Sequence, residues 1–145
     1  MKIKLICIGK KKSKTIDSEI KNYHSRINTF INFSVIYFKN SKFLDKKIKS
    51  LIKNKNLIFL LDENGNEYNS LEFASFIQNK INSSVNNLTF IIGDHSGFSQ
   101  SINNTFDNKI SLSKMTFPHQ IIRLFFCEQL YRAFTIINNH PYHNN

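Results

Sequence analysis

The sequence predicts an α/β fold with a largely parallel sheet that is covered by helices on both faces. Segments with strand patterns alternate with segments with helix patterns along the chain. Two strand segments, LIFLLD and LTFII, are continuous apolar runs, which are typical of strands buried on both sides. The chain has 145 residues, of which 41% are hydrophobic. We therefore expect residues 1–145 to form a single domain.

The first half of the chain predicts two strands and two helices. IKLICIG is a short β-branched strand that ends at Gly9, and FSVIYF is the next strand. Between them lies a predicted amphipathic helix, because apolar residues recur at steps of three and four: Ile16, Ile20, Tyr23, Ile27 and Phe30. The stretch 41–53 has apolar residues on one helical face and lysines elsewhere, which predicts a helix with a solvated basic face.

The middle of the chain predicts two buried strands with a helix between them. LIFLLD is a strand, and ENGNEYN is expected to be a loop. Ser70 is the predicted N-cap of a helix that holds Leu71, Ala74, Phe76 and Ile77. LTFII is the next strand, and GDHSG ends it sharply. A short helix is predicted near residues 99–106, followed by a short last strand, ISL, and the loop SKMTFPH.

The last helix, from about His119 to Asn138, is apolar around most of its circumference. Its wide stripe and the residues beside it include three phenylalanines, Phe125, Phe126 and Phe134. A helix of this kind must be buried on more than one side. The sheet covers one side, so we expect a second subunit to cover another and the protein to be a homodimer.

Three segments begin where a buried strand ends: LLDENG, IIGDHSG and LSKMTF. Ligands of parallel sheets bind outside the carboxyl ends of the strands, so this rule selects all three. GDHSG is neither a Walker loop nor a dinucleotide fingerprint, because its glycine spacing is wrong. Gly93 and Gly97 indicate a tight turn, either close to a ligand or on a plain surface. Pro118 suits the first turn of the helix that follows.

The positive charge is concentrated in the first half. Residues 1–55 carry 15 basic and 3 acidic side chains, whereas residues 56–145 carry 5 basic and 7 acidic ones. This asymmetry favours contact with a polyanion such as nucleic acid. The alternative is compositional drift in a genome rich in A and T, which also increases Lys, Asn, Ile and Phe.

The remaining composition argues against membranes and disulfides. No apolar run reaches the roughly 20 residues that span a bilayer, and the N-terminus lacks a continuous apolar signal segment. Cys7 and Cys127 lie far apart in the sequence, without metal or redox spacing. We expect them to be reduced thiols in a cytoplasmic protein.

The tail NNHPYH concentrates reactive side chains where chains usually fray. His140, Tyr142 and His143 surround Pro141 just after the predicted buried helix. They are candidates for a catalytic site or a packed tail. A metal site is disfavoured, since no carboxylate or thiol accompanies them at a suitable spacing. Glu128 and Arg132 lie four residues apart and predict a salt bridge.

These motifs together resemble one family of RNA-modifying enzymes. Four segments of the chain resemble the RlmH family of 23S ribosomal RNA pseudouridine N3-methyltransferases. They are KIKLICIGK at the start, FIIGDHSGFS, SLSKMTFPHQIIRLFFCEQLYRAF and NNHPYH. The family belongs to the SPOUT, or trefoil-knot, class. The resemblance implies a C-terminal knot, a homodimer and S-adenosylmethionine as cofactor. It also implies ribosomal RNA of the large subunit, within the assembled ribosome, as partner.

The resemblance also implies the site residues. The cofactor contacts fall at Leu61, Gly93, Leu112, Ser113, Lys114, Met115, Thr116 and Phe117. We assign Arg132 as the cation that stabilises the ionised base, His143 or Tyr142 as the general base or its orienter, and His140 as support. Alternatively, these groups only shape the pocket or hold RNA phosphate. We expect the tail to form part of the pocket wall, against the partner subunit.

One departure from the family pattern lies at the second strand end. The family usually has paired glycines where this chain has Gly93 and Asp94. Asp94 either narrows the cofactor slot or points to water. Two other functions follow if it spoils the slot or if the target differs: a basic module that binds ribosomal RNA without methyl transfer, or a SPOUT methyltransferase for another RNA position.

Overall fold

Strands and helices alternate through residues 1–144, which are the residues that the computed structural model describes. The strands are β1 (Lys2–Ile8), β2 (Asn32–Phe38), β3 (Asn56–Glu67), β4 (Asn87–Ile92) and β5 (Lys109–Ser111). The helices are α1 (Lys14–Ile27), α2 (Ser41–Lys53), α3 (Ser70–Asn82), α4 (Gln100–Thr105) and α5 (His119–Ile137). Every element that the sequence predicts is present, in the predicted order.

The strands form one sheet in the order β2-β1-β4-β3-β5, and all its strand pairs are parallel. The register places Leu61 of β3 opposite both Ile92 of β4 and Ile110 of β5. Because the strands are parallel, these three residues lie at the same carboxyl edge. The residues that follow Leu61 within β3 and the segments that follow β4 and β5 therefore start side by side.

Helices cover both faces of the sheet, as predicted. One core contains residues of α1, α3 and α5 packed on the sheet, with Phe90 and Phe126 at its centre, their ring centroids 4.8 Å apart. The other core contains residues of α2 and α4, such as Leu44 and Ile102. Alternate residues of β1 face opposite cores, since Leu5 belongs to the first and Ile6 to the second.

The third strand is longer than the sequence predicts. Asn66 and Glu67, which we expected in a loop, pair with Ile110 and Ser111 of β5. The pairing skips from Leu61 to Asn66, so residues 62–65 bulge out of the ladder. The prediction failed because this second part of β3 is polar and lacks the apolar pattern of a buried strand.

Helix boundaries differ from the predictions at three positions. The N-cap of α3 is Asn69 rather than Ser70, and Asn69 and Glu72 form a capping box. Pro118 is the N-cap of α5 and therefore precedes its first turn. Helix α1 ends at Ile27, so Phe30 lies beyond it, although its ring still stacks on Phe134 at 5.9 Å.

Both cysteines are free and buried, on β1 and α5. Burial raises the pKa of the Cys7 thiol to about 12 and also raises that of Cys127. Such thiols are protonated at neutral pH and unreactive. No helix among residues 1–144 is long and apolar enough to cross a bilayer. The trefoil knot that the resemblance implies stays a prediction.

Gly65 is a position where the fold requires the absence of a side chain. A Cβ at Gly65 would lie 2.6 Å from the backbone nitrogen of Ile110 and from the carbonyl carbon of Lys109. Because both atoms belong to the backbone of β5, they cannot move aside without disturbing the strand. We predict that Gly65→Ala lowers the free energy of unfolding by about 1–3 kcal/mol, measured by chemical denaturation.

Gly93→Ala is the matched control for this prediction. A Cβ at Gly93 meets its nearest neighbours at 3.4 Å, which is an ordinary contact distance. This variant should unfold at nearly the wild-type denaturant concentration. Equal stability of the wild type and Gly65→Ala would contradict the close approach of β3 to β5.

Candidate functional site

A cleft of about 310 Å³ opens at the carboxyl edge of the sheet, next to the ends of β3, β4 and β5. Its walls are the three segments that the strand-end rule selects, together with the start of α5. The residues at the strand ends are Leu61, Ile92 and Leu112. The two arms of the cleft, residues 62–64 and 93–98, face the loop that precedes α5.

Seven of the eight predicted cofactor residues line this cleft: Leu61, Gly93, Leu112, Ser113, Met115, Thr116 and Phe117. Lys114 does not line it. The Lys114 side chain is 81% exposed, and its Nζ lies 3.5 Å from Glu67 Oε1. The position of a residue within a loop does not determine which way its side chain points. The Lys114 side chain points away from the cleft, so no contact in the structure supports its predicted role.

Short hydrogen bonds hold the loop between β5 and α5 in place. Ser111 Oγ donates to the Ser113 carbonyl at 2.9 Å, and Ser113 Oγ accepts from the Met115 amide at 2.9 Å. Thr116 Oγ1 donates to Glu63 Oε2 at 2.8 Å, which ties the loop to the segment after Leu61. Two walls of the cleft are therefore connected directly by side chains.

The turn at residues 93–97 forms another wall, and Asp94 organises it. The Asp94 Oδ1 atom accepts hydrogen bonds from the Ser96 amide at 3.0 Å and from Ser96 Oγ at 2.6 Å. Gly97 has a φ of +73°, a left-handed conformation that favours glycine. The carboxylate thus bonds back to its own turn, although Asp94 remains among the residues that line the cleft.

The protonation of Asp94 reflects these contacts. Partial burial acts to raise the pKa of the Asp94 carboxyl. The hydrogen bonds from Ser96 and Ser41 and the charge of the nearby His95 together outweigh this effect, so the pKa lies below its ordinary value. Asp94 is therefore ionised at neutral pH, as its role as a hydrogen-bond acceptor requires.

His119 lines the cleft and was missed by the sequence analysis. It is the first residue of α5 and directly follows Pro118. Partial burial and the nearby Arg123 lower its pKa, while the charge of Asp94 partly opposes them. The imidazole is therefore neutral at pH 7. Its position just after a strand-end loop was the signal that could have identified it.

Arg123, one turn further along α5, fixes the end of β1. Its side chain is buried, and its guanidinium donates to the carbonyls of Ile8 at 2.8 Å and Lys10 at 3.2 Å. Because these carbonyls follow β1, the buried arginine attaches the start of the basic loop 10–14 to α5. Nothing in the amphipathic pattern of α5 indicates that this arginine faces inward.

The tail forms a polar cluster with the second half of α5. The predicted salt bridge is confirmed: Arg132 donates to Glu128 Oε1 from Nη2 at 2.6 Å and from Nε at 2.9 Å. Arg132 Nη1 lies 3.0 Å from His143 Nδ1, and Tyr142 Oη donates to Glu128 Oε1 at 3.1 Å. Three of the four predicted catalytic residues are thus brought together around one carboxylate.

His140 differs from the other three. The backbone amide of His140 donates to the Thr135 carbonyl at 2.8 Å, but the residue itself is exposed to solvent. The segment therefore anchors the tail through its backbone. Across residues 1–144, no group of three or more His, Cys, Asp and Glu side chains is arranged to hold a metal ion.

The environment of the cluster determines its charges. The hydrogen bond to Glu128 raises the pKa of Arg132 and keeps its guanidinium charged. Burial, followed by a hydrogen bond with Tyr23, raises the pKa of the Tyr142 phenol. The cluster therefore presents a fixed cation and a protonated phenol at neutral pH.

The tail cluster is remote from the cleft within one protomer. Among the described residues, none after Ile122 lines the cleft. Arg132 lies ten residues beyond Ile122 on α5, which corresponds to about 15 Å along a helix axis. The expectation that the tail forms part of the pocket wall against the partner subunit stays a prediction, since among the described residues the tail does not line the cleft of its own protomer.

A larger groove of about 540 Å³ lies between α3, β5 and α5. It shares Leu112 with the cleft and Glu128 with the tail cluster. Phe125, which also lines the groove, is 41% exposed. One face of α5 packs on the sheet, and this second face is uncovered in a single protomer.

Comparisons with known proteins agree with the resemblance. A family model described as "Predicted SPOUT methyltransferase" matches residues 1–143. The "Ribosomal RNA large subunit methyltransferase H" of Christiangramia forsetii is 44% identical, over 99% of each chain. The protein of the same name from Flavobacterium johnsoniae is 42% identical, also over 99% of each chain.

Two solved structures share the fold at low sequence identity. One is the SpoU methyltransferase AviRb from Streptomyces viridochromogenes in complex with AdoMet (TM-score 0.53, 8% identity, 92% of this chain and 58% of that chain). The other is a probable methylase family protein from Haemophilus influenzae Rd KW20 (TM-score 0.55, 10% identity, 99% of this chain and 70% of that chain). With the family match over nearly the whole chain, these findings show that the chain belongs to the SPOUT methyltransferase family.

Proposed function

We propose that the protein transfers a methyl group from S-adenosylmethionine to N3 of a pseudouridine in the 23S RNA of the large ribosomal subunit. The observation that carries this proposal is the cleft at the carboxyl edge of the sheet, which gathers seven of the eight residues that the resemblance implies as cofactor contacts. The names of the relatives, which are 44% and 42% identical to this chain, support ribosomal RNA as the substrate.

The residues of the cleft fit S-adenosylmethionine. Leu61, Leu112 and Ile122 provide apolar surface for an adenine ring, and Ser113 and Thr116 provide polar groups. Gly93 leaves backbone open to close approach. When bound, the cofactor supplies the activated methyl group, and the protein supplies orientation and electrostatics.

The polar cluster on α5 provides groups for the acceptor base. The imide nitrogen of a uracil-like ring carries a proton that must leave before the nitrogen can attack. Arg132, charged and held by Glu128, would stabilise the resulting anion. His143 lies 3.0 Å from Arg132 and is our candidate for the general base, because the raised pKa of Tyr142 disfavours its phenolate. His140 supports the tail. In the alternative, the cluster only shapes the pocket and the imide ionises unaided.

We propose that the working site is completed by a second copy of the chain. Within one protomer no described tail residue lines the cleft, and Arg132 lies about 15 Å along α5 from Ile122, the last residue of α5 in the cleft. In a symmetric homodimer, the tail of one protomer can meet the cleft of the other. The uncovered face of α5, with Phe125 exposed, offers apolar surface for this contact.

The basic first half provides the surface for RNA. The lysines of the stretch 10–14 and of the segment 42–55 are exposed, including Lys14 at the start of α1. They form a surface of the kind that binds phosphates. Phe43, 40% exposed on α2 with Lys47 Nζ 5.5 Å from its ring centroid, adds an aromatic group that can stack on a base. The proposed partner is the assembled ribosome, in the cytoplasm.

The non-enzymatic alternative required Asp94 to spoil the cofactor slot. Asp94 instead bonds to Ser96 of its own turn. Because the Asp94 carboxylate bonds to its own turn, it gives no reason to expect a blocked cofactor slot. The family match supports methyl transfer rather than RNA binding alone.

The proposed reaction is tested by mapping the modified nucleotide. Purified protein is incubated with labelled S-adenosylmethionine and ribosomes that lack the native methyl group. We expect label in 23S RNA at N3 of one pseudouridine, identified by nuclease digestion and mass spectrometry. Label at another base or on a ribose would contradict the proposed position, while leaving the reaction class intact.

The composite site predicts complementation between two inactive variants. Arg132→Ala should lower kcat by about 100-fold, because the stabilising cation is lost. Gly93→Leu should abolish cofactor binding by filling the slot. In a mixed dimer, one of the two sites then has an intact cleft and an intact tail. Mixing equal amounts should restore about a quarter of the wild-type activity.

Arg26→Ala is the control for the loss of a guanidinium. Arg26 lies over the rings of Tyr23 and Tyr131, at 5.7 and 5.6 Å from their centroids, and within residues 1–144 its side chain forms no hydrogen bond or salt bridge with the tail. It should keep nearly wild-type kcat. If the mixture of Arg132→Ala and Gly93→Leu stays inactive while dimers exchange subunits, the cleft and tail do not combine across the dimer.

The basic surface predicts a salt-dependent affinity for RNA. Lys46, Lys49 and Lys53 are exposed on α2. Replacing all three with Ala should reduce the slope of log K against log salt by about 2–3, measured with 23S RNA fragments. Lys80→Ala with Lys109→Ala, outside the basic half, should change the slope little. If the triple variant had the same slope as the wild type, the RNA would not bind to these lysines of α2.

A further inference from the structure

We infer that Asp94 is a positioning residue for the cofactor, whose carboxylate holds the turn 93–97 in the shape that forms one wall of the cleft. The inference rests on the proposed cofactor site and concerns a position where this chain differs from the pattern of the family it resembles. It requires no contact between Asp94 and the cofactor, since the residue acts through the turn.

The turn is closed by several bonds that converge on Asp94. Its Oδ1 atom accepts from both the amide and the hydroxyl of Ser96, and its carbonyl accepts from the Gly97 amide at 2.9 Å. Asp94 and Gly97 also form an isolated antiparallel bridge. The side chain and the backbone of Asp94 thus both fix the path of the chain between the two glycines of the cleft, Gly93 and Gly97.

Side-chain bonds also attach this turn to α2. Asp94 Oδ2 accepts from Ser41 Oγ at 3.4 Å, and Ser99 Oγ, just beyond the turn, donates to Asp45 Oδ1 at 3.3 Å. Both partners belong to the first turns of α2. The segment that contains two glycines of the cleft is therefore fixed at two points to a helix packed on the sheet.

Such fixation affects binding because a mobile loop loses entropy when it closes on a ligand. Glycine has the greatest backbone freedom to lose, and this turn contains two glycines within five residues. A turn that is already ordered avoids part of that cost. Asp94 is therefore expected to strengthen cofactor binding while leaving the chemical step unchanged.

The test compares cofactor affinities by calorimetry with S-adenosylmethionine. Asp94→Gly removes the acceptor and should weaken binding by about three- to tenfold. Asp94→Asn keeps an oxygen that can accept from Ser96 and should restore most of the affinity. In the methyl-transfer assay, Asp94→Gly should raise KM for the cofactor with little change in kcat.

Asp107→Gly is the matched control, since it makes the same replacement in an exposed loop between α4 and β5. It should bind the cofactor like the wild type. Equal affinities of the wild type and Asp94→Gly, or an Asp94→Asn variant as weak as Asp94→Gly, would overturn the inference alone. Absence of binding by the wild type would overturn the proposed site and the inference together.

Discussion

The parallel ladder in which Leu61 lies opposite Ile92 and Ile110 determines where every wall of the cleft begins. Three strands that are distant in sequence end at one edge, so the loops that follow them must lie side by side. Gly65, which has no side chain, allows the backbone of β3 to lie close to that of β5. The hydrogen bond from Thr116 to Glu63 connects the last loop to the segment after Leu61. Sheet register sets where the cleft lies, and side-chain hydrogen bonds such as those of Asp94 and Thr116 then fix its loops.

Helix α5 separates two parts of the proposed chemistry. Its start lines the cleft through His119 and Ile122, and its second half carries Glu128 and Arg132. About 15 Å of helix axis separates Ile122 from Arg132, and among the described residues the tail does not line the cleft of its own protomer. The uncovered face of the same helix, marked by Phe125, is available to a second copy. We propose that dimer contact and completion of the site depend on this one helix.

The sequence predicted the fold well where apolar periodicity is strong. All five strands and five helices were located, because each has a buried face with a regular spacing. The second part of β3 was missed, because Asn66 and Glu67 are polar and pair only through their backbone. The N-cap was misplaced by one residue, because Asn69 and Ser70 are both good caps and only the capping box distinguishes them.

The site was predictable in outline only. The strand-end rule and the resemblance both selected the cleft, but neither shows the direction of a side chain. The Lys114 side chain is 81% exposed and does not line the cleft, so its cofactor role stays a prediction. The bond between Asp94 and Ser41 joins residues 53 positions apart, which no local pattern reveals. The distance between the cleft and the tail, in contrast, follows from the length of α5, and the sequence analysis overlooked it.

The central claim is that the methyl donor binds at the sheet edge of one protomer and faces the polar cluster of the other. A crystal structure of the protein with S-adenosylmethionine tests it most directly. The account predicts the cofactor among Leu61, Gly93 and residues 112–117, with Arg132 of the second copy closer to its methyl group than Arg132 of the same chain. A cofactor bound in the larger groove, or a crystal in which neither tail approaches the cleft, would contradict it.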